Sequence, residues 1–155
     1  MGQRMLGVIG GSGLYELPGI RDVQPVRVST PFGEPSDALL RGRLAGVEMV
    51  FLPRHGRGHV HSPSTINYRA NIAALADLGF KDIVSLNSVG SLKPELRPGT
   101  LVSCSDYVGF LAGPSTYFDD ELKGGAPGIA NNLMPLLIAR LSPEFTVHPG
   151  KIYVQ

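Results

Sequence analysis

The stretch that most limits how this chain can fold is Met5-Leu6-Gly7-Val8-Ile9-Gly10-Gly11-Ser12-Gly13-Leu14-Tyr15. A short apolar run stops abruptly in four small residues. Such a run reads as a buried strand entering a tight turn. Glycine permits backbone angles that a side chain forbids, and it lets the chain approach a ligand closely. With no Cβ in the way, successive backbone amides can converge on an anion. Ser12 adds a hydroxyl at the centre of the turn. The loop therefore reads as a phosphate holder, with a purely structural turn as the plain alternative. A dinucleotide fingerprint needs another glycine three residues after the second, where this chain has Glu16. A nucleotide P-loop needs Gly-Lys followed by Ser or Thr, and the stretch holds no lysine. Positive charge must come from elsewhere in the chain.

It is offered by Arg54-His55-Gly56-Arg57-Gly58-His59-Val60-His61-Ser62-Pro63, a basic, glycine-broken loop. This loop directly follows an apolar strand read at 47–52. A strand at 39–44 joins that one through Ala45-Gly46, a plausible hairpin. Further strands read at 26–29 with Pro25 at its entry, at 82–86, at 100–103 and at the longest to 108, and in pieces at 146–147 and 151–154. A helix is expected at 65–78, capped by Ser64 or Thr65 and ended by Gly79. Its apolar face is read as Tyr68, Ile72, Leu75 and Ala76. A second helix is expected at 132–141, after a long Gly, Pro and Ser-rich loop at 109–131. Thr30-Pro31-Phe32-Gly33-Glu34-Pro35 reads as a turn. Strands with interposed helices imply an α/β fold, a mixed twisted sheet flanked by helices. No domain boundary is visible within 1–155.

Three strands end in small or basic loops, at Gly10, Arg54 and Asn87. In open α/β sheets ligands bind beyond the carboxyl ends of strands, so one shared site is expected there. Arg54 offers a planar fork of donors that matches phosphate oxygens in pairs. His55 can donate beside it. Ser12 and the amides of the glycine loop would close a second side, and Asn87 and Ser88 would complete the cup. Arg57 reads as a surface residue, as does His148. His55, His59 and His61 invite a metal, but no cysteine or carboxylate lies nearby in the loop, so none is assigned.

A formal net charge of +1 gives no broad attraction for nucleic acid or an anionic membrane. No apolar run approaches the roughly 20 residues of a membrane span. The single cysteine, Cys104, rules out an internal disulfide and suits a reducing cytoplasm. It sits in an expected strand without a histidine neighbour, so it reads as core.

Five motifs occur in one order: Ile9-Gly10-Gly11-Ser12-Gly13-Leu14-Tyr15, Thr30-Pro31-Phe32-Gly33, Pro53-Arg54-His55-Gly56-Arg57-Gly58-His59, Asn67-Tyr68-Arg69-Ala70-Asn71-Ile72 and Val89-Gly90-Ser91-Leu92. Together they resemble the trimeric purine nucleoside phosphorylase family, most of all its 5′-methylthioadenosine phosphorylase branch. The resemblance is dense from Met5 to about Asp106. It implies attack of phosphate on the anomeric carbon of a purine nucleoside, methylthioadenosine first, giving free purine and a ribose 1-phosphate. It implies Ser12, Arg54, His55 and Ser88 as phosphate contacts and Asn87 as a substrate contact. No metal or organic cofactor is implied, only inorganic phosphate as co-substrate. A cytoplasmic homotrimer is implied for the whole protein.

The family's chain is longer. Its Glu-Gly-Pro motif, ribose-holding residues and base-protonating group would lie beyond Gln155, so the catalytic residue is unassigned. The fold is expected to be incomplete at its C-terminus, and this chain alone is expected to be inactive. The stretch at 109–128 departs from the family pattern, with Ala126 where the family carries a histidine that reaches a neighbouring subunit. The alternatives are a 6-oxopurine nucleoside phosphorylase, a non-catalytic phosphate-binding fragment of the family, and an unrelated nucleotide-binding module.

Overall fold

A computed structural model describes residues 5–11, 14–15, 18–108 and 133–154. The chain divides into two compact units, Met1–Val89 and Gly90–Gln155. The expected loop at 109–131 lies outside the described residues.

The first unit is a five-stranded mixed sheet in the order β2-β3-β4-β1-β5. β1 (Met5–Gly10) lies between β4 (Val47–Pro53) and β5 (Asp82–Leu86), parallel to both. β3 (Leu39–Leu44) and β4 form the expected hairpin. Ala45 and Gly46 both have positive φ, 49° and 81°. That pairing matches the twist of a two-residue hairpin turn.

β2 is Arg21–Val26, not the expected 26–29. Pro25 lies inside this strand and not at its entry. It is tolerated because β2 is the edge of the sheet, where a missing N–H costs no ladder bond.

Alternation along the central strands sends side chains to two faces. Val50 and Leu52 of β4 pack with Leu39, Ala74, Leu75 and Phe80, and Ile9 of β1 joins them. Met49 and Phe51 pack on the other face with Val8, Leu14, Tyr15 and Ile20.

The first face is covered by α1 (Tyr68–Asp77). It starts later than expected because Asn67 is the cap, its side chain accepting from the Ala70 amide at 3.1 Å. Thr65 and Ile66 are instead tied back to the Ser62 carbonyl in a turn of their own. The buried face is Ala70, Asn71, Ala73, Ala74 and Leu75. Of the four residues expected on it, only Leu75 is there. Tyr68, Ile72 and Ala76 point outward, because small side chains let the helix lie close on the sheet. Gly7 completes that approach, since a Cβ there would stand 3.4 Å from Leu75. Gly79 ends the helix as expected, at φ 84°. Its amide bonds to the Ala76 carbonyl and that of Phe80 to the Leu75 carbonyl, the paired bonds of a Schellman cap.

The second unit pairs β6 (Leu101–Val108) in parallel with β7 (Val147–Val154), with α2 (Met134–Leu141) between them in sequence. The two expected pieces at the chain's end are thus one strand, irregular in register where Pro149-Gly150 interrupts the ladder. Cys104 is exposed, not core. Successive strand residues face opposite ways, and it is the neighbouring Ser103 that is buried in β6.

Candidate functional site

The three strand ends expected to converge do so. Gly10 is in register with Pro53 on one side and with Leu86 on the other. The ladder continues one step, because the Arg54 amide donates to the Gly10 carbonyl at 3.0 Å. The glycine loop, the basic loop and the Asn87-Ser88 loop therefore leave the sheet side by side.

Arg54 spans this edge. Its Nη1 donates to the Leu86 carbonyl at 3.0 Å and to Asn87 Oδ1, so the guanidinium reaches across β1 to the end of β5. Asn87 is held in turn by donating from Nδ2 to Ser85 Oγ. Arg54 Nε donates to His55 Nε2 at 3.1 Å. Nη2 makes no hydrogen bond among the described residues. It faces the start of the glycine loop, where a Cβ on Gly11 would stand 3.4 Å from it. Ser12 itself lies outside the described residues, but Gly11 beside it is at Arg54. Ser88 is exposed in the loop that follows β5.

The basic loop is folded back on itself. The Gly56 amide bonds to the Pro53 carbonyl, His59 to Gly56, and His61 to His55. Gly56 has φ 69°, and a Cβ there would lie 2.8 Å from Val60 and 3.0 Å from the Ser36 carbonyl oxygen. Only glycine fits that corner. This folding buries His55, whose ring stacks on His59 at 4.3 Å between centroids. Arg57 diverges from Arg54: its side chain is exposed, its backbone amide donates to Asp37 Oδ2, and its guanidinium forms an ion pair with the same carboxylate. Among the described residues no group of three His, Cys, Asp or Glu side chains is placed to hold a metal ion.

Two supports escaped the sequence reading. Tyr15 donates its hydroxyl to the Gly56 carbonyl at 2.9 Å, clamping the basic loop to the glycine loop. Burial is the main cause that raises the Tyr15 pKa, with the Asp37 charge adding and Arg54 opposing. Asn67 and Asn71 tie α1 to the preceding turn: Asn67 donates to the Phe32 carbonyl, and Asn71 both accepts from the Ser36 amide and donates to Ser36 Oγ. The signal for these was present in Thr30-Pro31-Phe32-Gly33 and Asn67-Tyr68-Arg69-Ala70-Asn71, but nothing local says that the two motifs meet. An apolar cleft of about 430 Å3 lies on the sheet face away from α1, lined by Leu14, Tyr15, Ile20, Leu40 and Phe51 among others. Its lining carries no charged side chain, so it does not suit an anion.

Residues 5–151 match the phosphorylase superfamily, and the chain belongs to that family. It is 56% identical over 104 residues to an S-methyl-5′-thioadenosine phosphorylase of Cereibacter sphaeroides, covering 67% of this chain and 36% of that one. It is 50% identical over 115 residues to a purine nucleoside phosphorylase of Streptomyces coelicolor, covering 74% of this chain and 40% of the relative. A crystal structure of a methylthioadenosine phosphorylase from an antarctic soil metagenomic library matches with a TM-score of 0.81 at 34% identity, covering 99% of this chain and 56% of that chain. The chain thus spans between about a third and somewhat over half the length of these relatives. The nucleoside phosphorylase-like fold expected from the motifs is the fold observed. Among the described residues no helix is long and apolar enough to cross a membrane.

Proposed function

We propose that this chain supplies the phosphate side of a purine nucleoside phosphorylase whose nucleoside is 5′-methylthioadenosine. The observation that carries the reading is Arg54: two N–H groups of Nη1 fix the guanidinium across β1, and Nη2 is left turned to a glycine loop. A guanidinium held so that Nη2 presents its N–H groups beside closely approaching backbone amides suits a tetrahedral anion. Ser12, Ser88, Asn87 and His55 belong to the same proposed site, Ser12 and Ser88 toward phosphate, Asn87 toward the sugar and His55 against Arg54.

In the proposed reaction a phosphate oxygen forms a bond to C1′ as the C1′–N9 bond breaks. The electron pair leaves with the purine, which takes up a proton. The products are adenine and 5-methylthioribose 1-phosphate. The transition state carries positive charge on the sugar, so an anion held beneath it by a fixed guanidinium does electrostatic and positional work together. No metal or organic cofactor enters this scheme. A homotrimer in the cytoplasm is part of the same reading for the whole protein.

The Streptomyces coelicolor relative, named a purine nucleoside phosphorylase, supports a second reading in which the nucleoside is not methylthioadenosine, and a 6-oxopurine nucleoside is the alternative we carry. The test is phosphate-dependent release of adenine from methylthioadenosine by the full-length protein, against hypoxanthine release from inosine. Adenine release dominating supports the first reading, hypoxanthine the second, and release without phosphate overturns both. Because this chain spans only part of its relatives, phosphate binding by the 155-residue chain is measured separately, by calorimetric titration.

A further inference from the structure

His55 is buried at 7% exposure, and both of its ring nitrogens are occupied. Nδ1 lies 2.9 Å from the His61 carbonyl oxygen, and Nε2 lies 3.1 Å from Arg54 Nε. A carbonyl can only accept and a guanidinium can only donate. The two partners together therefore require a neutral ring, protonated on Nδ1 with a lone pair on Nε2. The ring has little freedom to turn. The His61 amide returns a bond to the His55 carbonyl at 3.0 Å, and His59 covers one ring face. His59 holds that position at φ 59°, a left-handed conformation uncommon for a residue with a side chain.

We propose that the His55 ring positions Arg54 and is not itself a phosphate donor: its Nε2 accepts from Arg54 Nε and so sets the guanidinium plane with Nη2 toward the glycine loop. This rests on the reading of Arg54 as the phosphate anchor and replaces the sequence expectation that His55 donates directly. Nε is one of three atoms that could bind an anion. Engaging it on His55 leaves the Nη2 side as the presenting edge, so the geometry of phosphate capture is decided behind the arginine.

The test is long-range 1H–15N NMR of the histidine rings, with and without inorganic phosphate, together with two variants. His55→Gln places an amide oxygen near Nε2 and can still accept from Arg54. His55→Asn places its amide near Nδ1, keeps the His61 contact and leaves Arg54 Nε unpartnered. The expected spectrum has His55 protonated on Nδ1 alone in both states. Phosphate affinity should stay within a few-fold for His55→Gln and fall by about tenfold or more for His55→Asn, the scale of one lost charge-assisted hydrogen bond. A proton on Nε2 in the phosphate complex, or equal affinity for the two variants, overturns the proposal; the ring spectrum needs no variant to fold. Arg54→Ala separates the two layers. If it leaves phosphate affinity unchanged, the anchor reading fails. If it abolishes binding while Nε2 carries a proton in the complex, only the role of His55 fails.

Discussion

Arg54 Nη1 donates to the Leu86 carbonyl across the width of β1, a 3.0 Å bond between residues 32 apart in sequence. The bond exists because β1 is the middle strand of a parallel trio, so the ends of β4 and β5 stand two strand spacings apart. A guanidinium is long enough to cross that gap over Gly10, and a lysine offers no fork to do so.

Arg54→Ala should therefore weaken phosphate binding by about ten- to a hundredfold, the range of a lost charge-assisted pair. Arg57→Ala should cost no more than about threefold, since an exposed ion pair such as Arg57 with Asp37 contributes little. Titration calorimetry of the two variants checks this. Equal losses would mean that the two arginines share one role, contrary to their divergent partners.

Gly56→Ala should destabilise the first unit by about 2–3 kcal/mol, combining left-handed strain with overpacking. The new Cβ would meet Val60 at 2.8 Å and the Ser36 backbone oxygen at 3.0 Å. Gly46→Ala is the control. Its φ is also positive, at 81°, but nothing lies within 4 Å of the added carbon, so about 1 kcal/mol is expected. Urea midpoints of both variants measure the difference. A smaller loss at Gly56 than at Gly46 would contradict the packing of the basic loop.

Asn71→Ala removes the partner of the Ser36 amide and of Ser36 Oγ, both in a buried setting. An unsatisfied buried donor costs about 1–3 kcal/mol. Asn71→Asp should fare little better, because it keeps the acceptor for the Ser36 amide but loses the amide donor and buries a charge. Denaturant unfolding of both variants reads this out, and a neutral Asn71→Ala would mean that Ser36 finds another partner.

The convergence of three loops was legible because each follows an apolar run that ends in a residue with a special backbone or a fork of donors. Gly10, Arg54 and Asn87 announce themselves locally. The face of α1 was not legible in that way. Periodicity favoured the large apolar Tyr68 and Ile72, whereas the sheet accepts Ala70, Ala73 and Ala74 because close approach outweighs side-chain size. The register of β2 escaped for a related reason: Pro25 looks like a strand entry until the strand is known to be an edge. The direction of the hydrogen bond between Arg54 and His55 was also hidden, since it depends on the His61 carbonyl, which no motif marks as a partner.

Tyr15 gives the last expectation, a dependence of stability on alkaline pH. Its pKa is raised above the ordinary tyrosine value, chiefly by burial and then by the Asp37 charge. A free tyrosine ionises near pH 10. Between that value and the higher folded one, the folded chain keeps a proton that the unfolded chain has lost. The contribution of Tyr15 is therefore complete below about pH 10 and is lost as pH rises through the folded value. The hydroxyl's bond to the Gly56 carbonyl is the contact at stake, and Tyr15→Phe removes both the bond and the titration. The difference in urea stability between the parent and Tyr15→Phe should be about 1 kcal/mol and constant up to about pH 10, then shrink above it. A difference that grows with pH would place the Tyr15 hydroxyl in contact with a cation and not against a carbonyl.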